Sequence, residues 1–280
     1  MTFGINAWLW LMPLQTATSL ETIHKVADMG FDQIEVPLEQ PHQLDYAQIA
    51  EAVKERGLDV SICVAMSPER DLIHPDISIQ ENTLSYLKHC IDTVNLLGGR
   101  NVVGPMYASV GRLWQQTQSE RAKDVATLVN HLKTLSDYAE TKEAVLCIEP
   151  LNRFETSFMN LASQAVEVVE QVGHSSCKIQ LDSFHMNIEE DSIGDAIRLA
   201  GKHLGQLHVC ANDRGAPGAG HLNWQDLSQA LKDSHFDGPL VIEAFHTDNK
   251  VMAAAASIWR SKASSADVLA KEGLEFLQDL

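Results

Sequence analysis

The sequence predicts a single α/β domain, a closed (β/α)8 barrel of the TIM type, and three observations lead there. Short apolar runs recur along the chain and end on a polar side chain: AVLCIE at 144–149, CKIQLD at 177–182, GQLHVC around His208 and PLVIEA around Glu243. Segments of helical period separate them, at 161–172, 192–203 and 224–235. The chain has 280 residues, against about 250 for a typical barrel of this kind, which leaves room for loops.

Each of those runs is short, rich in aliphatic residues and stopped by a turn signal, so strand fits better than buried helix. Strand and helix in strict alternation mean a parallel sheet. The same rhythm runs back to the N-terminus, with strands expected at 3–10, 32–36, 58–65 and 100–105 and helices near 20–29, 45–56, 79–97 and 119–140. Gly30, Gly57 and Gly98 each follow a last periodic turn, where a C-capping glycine belongs. An open, doubly wound sheet would need a Gly-rich phosphate turn after the first strand, and NAWLWLMP after Ile5 contains no glycine. The barrel is expected to span 1–280, with a helical extension from about 262 whose amphipathic segment 264–280 closes the barrel or joins a subunit interface.

Hydrophobic residues make up 45% of the chain and charged residues 21%, enough for one large core, and no linker or repeat interrupts it. The five cysteines form no CxxC pair and several fall inside expected strands, so buried thiols in a reducing, cytoplasmic setting are expected. The apolar start INAWLWLMPL lacks a basic flank, the first lysine being Lys25, and reads as a barrel strand rather than a leader or membrane span. A net charge of −17, from 21 basic and 38 acidic residues, argues against nucleic acid as the partner and for a neutral small molecule.

Glu149, Asp182, His208 and Glu243 are the candidate metal ligands. Each ends its strand on the face where barrels of this type carry their chemistry. Any one carboxylate could simply cap a helix or pair with an arginine; four in series point to a shared divalent ion. Three carboxylates and one imidazole suit Mn²⁺ or Mg²⁺ first, then Co²⁺, with Zn²⁺ less suited in the absence of thiolates. Cys210 lies two residues beyond His208 and reads as a buried thiol. His185 and Arg214 fall in loops at the same face and are expected to touch substrate, whereas Arg153 reads as a structural ion pair. Trp8, Tyr107 and Trp114 offer aromatic faces that either stack on a sugar or fill the core or an interface.

The segments IEPLNRFE, LDSFHMNIEEDS, DRGAPGAGHLNW and IEAF, with RDLIHPD at 70–76, GPMY at 104–107 and SIWRSKASSAD, resemble the D-tagatose 3-epimerase and D-allulose (psicose) 3-epimerase group of the xylose-isomerase-like barrels. The likeness runs over essentially the whole chain. It implies that Glu149, Asp182, His208 and Glu243 bind one divalent metal, usually manganese, and that Glu149 and Glu243 double as an acid/base pair. It implies further that Glu155, His185 and Arg214 hold a keto-sugar near its carbonyl end and that the protein works as a homodimer or homotetramer. The reaction implied is proton exchange at C3 through a cis-enediolate. Chemistry makes the same demand, since a proton α to a ketone is too weakly acidic for a free carboxylate unless the developing oxyanion is stabilised.

One departure from the group lies after His208, where a glycine–glutamate pair is common and this chain has Cys210 and Ala211 before Asn212, Asp213 and Arg214. The change leaves open an epimerase, isomerase or dehydratase acting α to the carbonyl of another keto-sugar, such as a 3-keto-glycoside or an inosose. More distant alternatives are a barrel-type DNA repair endonuclease, which needs further metal ligands and a basic face, and a non-catalytic sugar-binding module.

Overall fold

The computed structural model describes residues 1–280. Eight parallel strands pair in chain order and the eighth closes onto the first. They are β1 (Thr2–Asn6), β2 (Gln33–Leu38), β3 (Asp59–Val64), β4 (Asn101–Gly104), β5 (Val145–Ile148), β6 (Cys177–Asp182), β7 (Leu204–Val209) and β8 (Pro239–Ile242). Around them run α1 (Thr16–Asp28), α2 (Tyr46–Arg56), α3 (Ile77–Leu96), α4 (Gln118–Glu140), α5 (Ala162–Val172), α6 (Ser183–Glu189), α7 (Ile193–Ala200), α8 (Trp224–Asp233), α9 (Lys250–Ala255) and α10 (Ala266–Gln278). The expected closed barrel is the fold.

The helices begin where a side chain can take up the free N–H groups of a first turn. Asp45 caps α2 through the Gln48 N–H, Asp76 caps α3 through Ser78, and Thr117 with Glu120 forms a reciprocal capping box on α4. Gly57 ends α2 in the left-handed region at φ 64°, a conformation that costs a residue with a Cβ and not glycine. In α5 the buried positions Ala165, Val168, Val169 and Val172 follow the helical period and form one apolar stripe.

Strand periodicity splits the core into two unlike halves. Ile34, Ile62, Val102, Leu146, Ile179, Leu207 and Ile242 belong to the apolar layer packed with the helices. The alternate positions point into the barrel, where Cys63, Val103 and Cys147 form a small separate apolar cluster. The rest of the interior is polar: Gln33 Nε2 donates to Ser61 Oγ at 2.8 Å, and Asn101 Nδ2 on β4 reaches Gln206 Oε1 on β7 at 3.3 Å.

Several boundaries differ from expectation for identifiable reasons. The first strand stops at Asn6 rather than Trp10, because the Asn6 side chain accepts the Trp8 N–H and turns the chain into a 3-10 segment over Ala7–Leu9. The helix expected at 192–203 gives way after Ala200 to a 3-10 turn over Gly201–His203. The short helices α6 and α9 were not expected. The C-terminal α10 packs on the outside of β1 and β8, in the place of the last barrel helix. All five cysteines are free and buried, and no helix is long and apolar enough to cross a membrane.

Candidate active site

The C-terminal ends of β5 to β8 bring four side chains together. Asp182 ends β6 and is in register with His208 on β7, while Glu149 and Glu243 lie one residue beyond β5 and β8. Their backbones stay tied to the barrel, because the Glu149 N–H donates to the Gly104 carbonyl and the Glu243 N–H to the Val209 carbonyl. Ligand atoms of Glu149, Asp182 and His208 all lie within 4.8 Å of one another. Glu243 joins them through His208, with its Oε2 3.3 Å from Nδ1. All four side chains are buried.

Three buried carboxylates pressed together repel one another and need cationic compensation. Arg214 supplies part of it, its guanidinium NH1 lying 2.6 Å from Asp182 Oδ2 and 2.9 Å from Glu243 Oε2. Glu149 is left short: its Oε1 is buried with no hydrogen-bond partner and lies 3.8 Å from His208 Nδ1. A hard divalent cation fits this donor set, since an orphaned carboxylate oxygen, two further carboxylates and one imidazole face a common point. Glu149, Asp182 and His208 therefore form a group able to hold a metal ion, with Glu243 beside it.

His208 is aimed at that point from behind. Its Nε2 lies 2.7 Å from Glu35 Oε1, so the ring N–H is donated to Glu35 and Nδ1 is left facing the carboxylates. Gln180 Nε2 also lies 2.9 Å from Nδ1.

The two glutamates are shifted in opposite directions. Burial raises the Glu149 carboxyl well above the ordinary carboxylate range; Glu243 and Asp182 push it further, and His208 and Arg214 offset only part of the rise. Burial acts upward on Glu243 as well, but His208 and Arg214 outweigh it and hold Glu243 at about 2. Burial alone would lower His208, yet Glu35 and Glu243 outweigh it and raise the imidazole well above its usual value. Paired carboxyl groups pushed apart in this way can serve as acid and base in one site.

The loop residues expected near substrate form a chain leading into the cluster. Glu155 Oε1 accepts from Asn152 Nδ2 at 2.8 Å, and the Asn152 backbone N–H donates to His185 Nδ1 at 3.1 Å. His185 Nε2 then lies 3.3 Å from Arg214 NH2. His185 is buried on the first turn of α6, where desolvation lowers its pKa and keeps the ring neutral. Arg214 enters the site because its backbone sits in the left-handed region at φ 63°, in a turn closed by its own N–H to the Ala211 carbonyl. Its guanidinium lies over Phe184 at 4.3 Å, and neighbouring Asp213 is held by Lys262.

The aromatic candidates separate. Trp8 packs on both the Cys63–Val103–Cys147 cluster inside the barrel and the cluster around Phe245 at its rim, with its indole N–H donated to Glu39 Oε1. Trp114 stacks on Phe158 at 6.2 Å and carries the Arg112 guanidinium 3.9 Å from its ring, so its faces are taken up by protein. Tyr107 has no accessible surface and donates its hydroxyl to the Met159 carbonyl, which makes it packing beneath the site. Arg153 pairs with Glu189 on the surface.

Glu35, Asn6, Ser61 and Gln206 are the site residues that the run-end reading passes over. A signal existed: Glu35 stands two residues after Gln33 within QIEVPL, as His208 stands two after Gln206 and Asp182 two after Gln180. Polar residues at alternate positions of otherwise buried strands mark an interior face that is not apolar.

With this geometry in place, the relatives define the class. The xylose isomerase-like TIM barrel family profile matches residues 23–280. A D-psicose 3-epimerase of Agrobacterium fabrum is 32% identical over 252 residues, 88% of this chain and 86% of that protein. An L-ribulose 3-epimerase of a Methylomonas species is 28% identical over 99% of this chain and 97% of its own. The solved structure of a Methylomonas D-allulose 3-epimerase in complex with D-allulose superposes with a TM-score of 0.93 at 27% identity, covering 100% of this chain and 96% of that one. The chain belongs to the xylose isomerase-like TIM barrel family and, within it, to the ketose 3-epimerase group of carbohydrate epimerases.

Proposed function

We propose that this carbohydrate epimerase is a metal-dependent ketose 3-epimerase that inverts C3 of a free keto-sugar, with D-fructose/D-allulose, D-tagatose and L-ribulose as the substrate class. The observation that carries the reading is the pair Glu149 and Glu243: two buried carboxyl groups just beyond β5 and β8, with Glu149 Oε1 3.8 Å and Glu243 Oε2 3.3 Å from the same His208 Nδ1. Inversion needs a base on one face of the carbon and an acid on the other. One glutamate of the pair takes the C3 proton while the other delivers one to the opposite face, and in the reverse direction the two exchange roles. Glu149, Asp182, His208 and Glu243 would hold a divalent ion, Mn²⁺ first and Mg²⁺ or Co²⁺ after it, which when bound supplies Lewis-acid stabilisation of the enediolate oxygens.

Arg214, His185 and Glu155 would fix the carbonyl end of the sugar, with Trp8 closing the mouth. A neutral substrate agrees with the charges at the rim. Arg214 is committed to Asp182 and Glu243, Arg112 to Asp71, and Arg70 to the Ala65 carbonyl and the Tyr86 face, so each arginine near the mouth already has a partner. The five free buried thiols support a reducing, cytoplasmic setting, and a homodimer or homotetramer is the assembly proposed.

Incubation of the protein and Mn²⁺ with D-fructose, D-tagatose and L-ribulose in D₂O tests this directly. Deuterium should appear at C3 together with the C3 epimer; absence of exchange on all three ketoses would sink the proposal.

A further inference from the structure

Glu35 is fully buried in the middle of β2, inside the barrel, and both of its oxygens are spoken for. Oε1 accepts from His208 Nε2 at 2.7 Å and from Asn6 Nδ2 at 2.9 Å. Oε2 accepts from Ser61 Oγ at 2.8 Å and from Gln206 Nε2 at 2.5 Å. Four donors from three different strands, β1, β3 and β7, therefore fix one carboxylate that reaches no solvent and lies behind the imidazole, away from the Nδ1 side where Glu149, Asp182 and Glu243 converge. Asn6 Nδ2 also lies 3.5 Å from Glu243 Oε1, so the same amide spans Glu35 and one of the paired glutamates.

Burying a carboxylate is costly, and an apolar side chain of similar size would fill the interior at less cost. Packing alone therefore does not account for it. What the charge adds is a fixed acceptor for the Nε2–H, which fixes the ring plane, keeps Nδ1 turned toward the carboxylates with the Gln180 amide 2.9 Å away, and strengthens Nδ1 as a donor to a metal. We propose that Glu35 is a positioning residue that sets His208 for metal binding and, through Asn6, ties that setting to Glu243. The proposal rests on Glu149, Asp182, His208 and Glu243 holding a metal, as put forward above.

The test measures Mn²⁺ affinity by chelator competition for the wild type, Glu35→Gln, His208→Gln, the double variant and Glu149→Gln, with the visible absorption of the Co²⁺-loaded proteins as a second readout. In Glu35→Gln an amide replaces one acceptor opposite Gln206 and Ser61, and Mn²⁺ affinity should fall about 10–100-fold with a changed Co²⁺ spectrum. Adding Glu35→Gln to His208→Gln should cost little more, because the two residues act as one unit. Ser61→Ala, which removes one donor to Glu35 and keeps the carboxylate, should move affinity in the same direction by less, and it carries the test if Glu35→Gln does not fold. Affinity within twofold of wild type in Glu35→Gln, or in Ser61→Ala if that variant carries the test, would overturn the proposal; so would a fully additive loss in the double variant, which would mark a purely structural role. If Glu149→Gln bound Mn²⁺ as the wild type does, the metal site itself would be misplaced and this inference would fall with it.

Discussion

The two ends of the barrel interior are both polar, yet they are polar in different ways. At the N-terminal end a cavity of about 600 Å³ is lined by Gln33, Asn101, Arg100 and Lys178 among others. Its neutral amides bond a hydroxyl, another amide or backbone, and its cations rest on carbonyls, Lys178 Nζ on that of Lys202 at 2.7 Å and Arg100 Nε on that of Glu143. At the C-terminal end carboxylates crowd without enough donors, and Glu149 Oε1 has none. The first end offers room for a ligand; electrostatic demand is concentrated at the second. Volume measures what could fit, whereas a buried, under-compensated charge requires something to arrive.

The sharpest break of that comparison is removal of one glutamate from the C-terminal end. Glu149→Gln or Glu243→Gln should lower the rate of epimerisation by about 10²–10⁴-fold, the range for losing a general acid or base, measured as C3 deuterium incorporation. A rate within a factor of ten of wild type in both variants would remove the acid/base pair from the mechanism. Chelation acts on the same end: prolonged EDTA treatment should take activity to background and Mn²⁺ should restore it, while full activity of the chelated protein would contradict the ligand assignment.

Which parts of this contrast are legible in the sequence follows from where each residue sits. Glu149, Asp182, His208 and Glu243 stand at the ends of apolar runs, so a local pattern exposes them, and barrel closure explains why separated runs converge. Glu35 sits inside such a run and looks like a tolerated exception. Its meaning depends on Gln206, 171 residues away, and on His208, 173 away, contacts made only across the closed barrel. Arg214 is legible as a candidate by its place in a functional-face loop, but not by conformation, since arginine rarely adopts a positive φ and the Ala211–Arg214 turn that imposes it leaves no local mark. Tyr107 and Trp114 show the converse: aromatic residues near a site read alike in sequence, and only packing shows that Tyr107 is enclosed.

A milder intervention asks whether Arg214 acts as charge or as shape. Its guanidinium meets Asp182, Glu243 and His185 together. Lysine keeps the charge but loses the planar fork. Arg214→Lys should retain Mn²⁺ binding and lower kcat/KM about tenfold, equivalent to about 1.4 kcal/mol of transition-state stabilisation. An unchanged kcat/KM would mean that charge compensation alone is its role.

The smallest effect is expected at the opposite end, and it is the control that gives the comparison its force. Lys178 lies at the N-terminal cavity, with its ammonium on the Lys202 carbonyl and no carboxylate partner. A carbonyl exposed to water by Lys178→Ala can be hydrated, so neither an unpaired buried charge nor a cavity in the core results. Stability should stay within about 0.5 kcal/mol of wild type in chemical denaturation, and ketose turnover and Mn²⁺ affinity should not change. A large loss of turnover from this substitution would mean that the two ends are coupled through the amide and hydroxyl side chains of the interior, and that the N-terminal end serves the reaction at a distance.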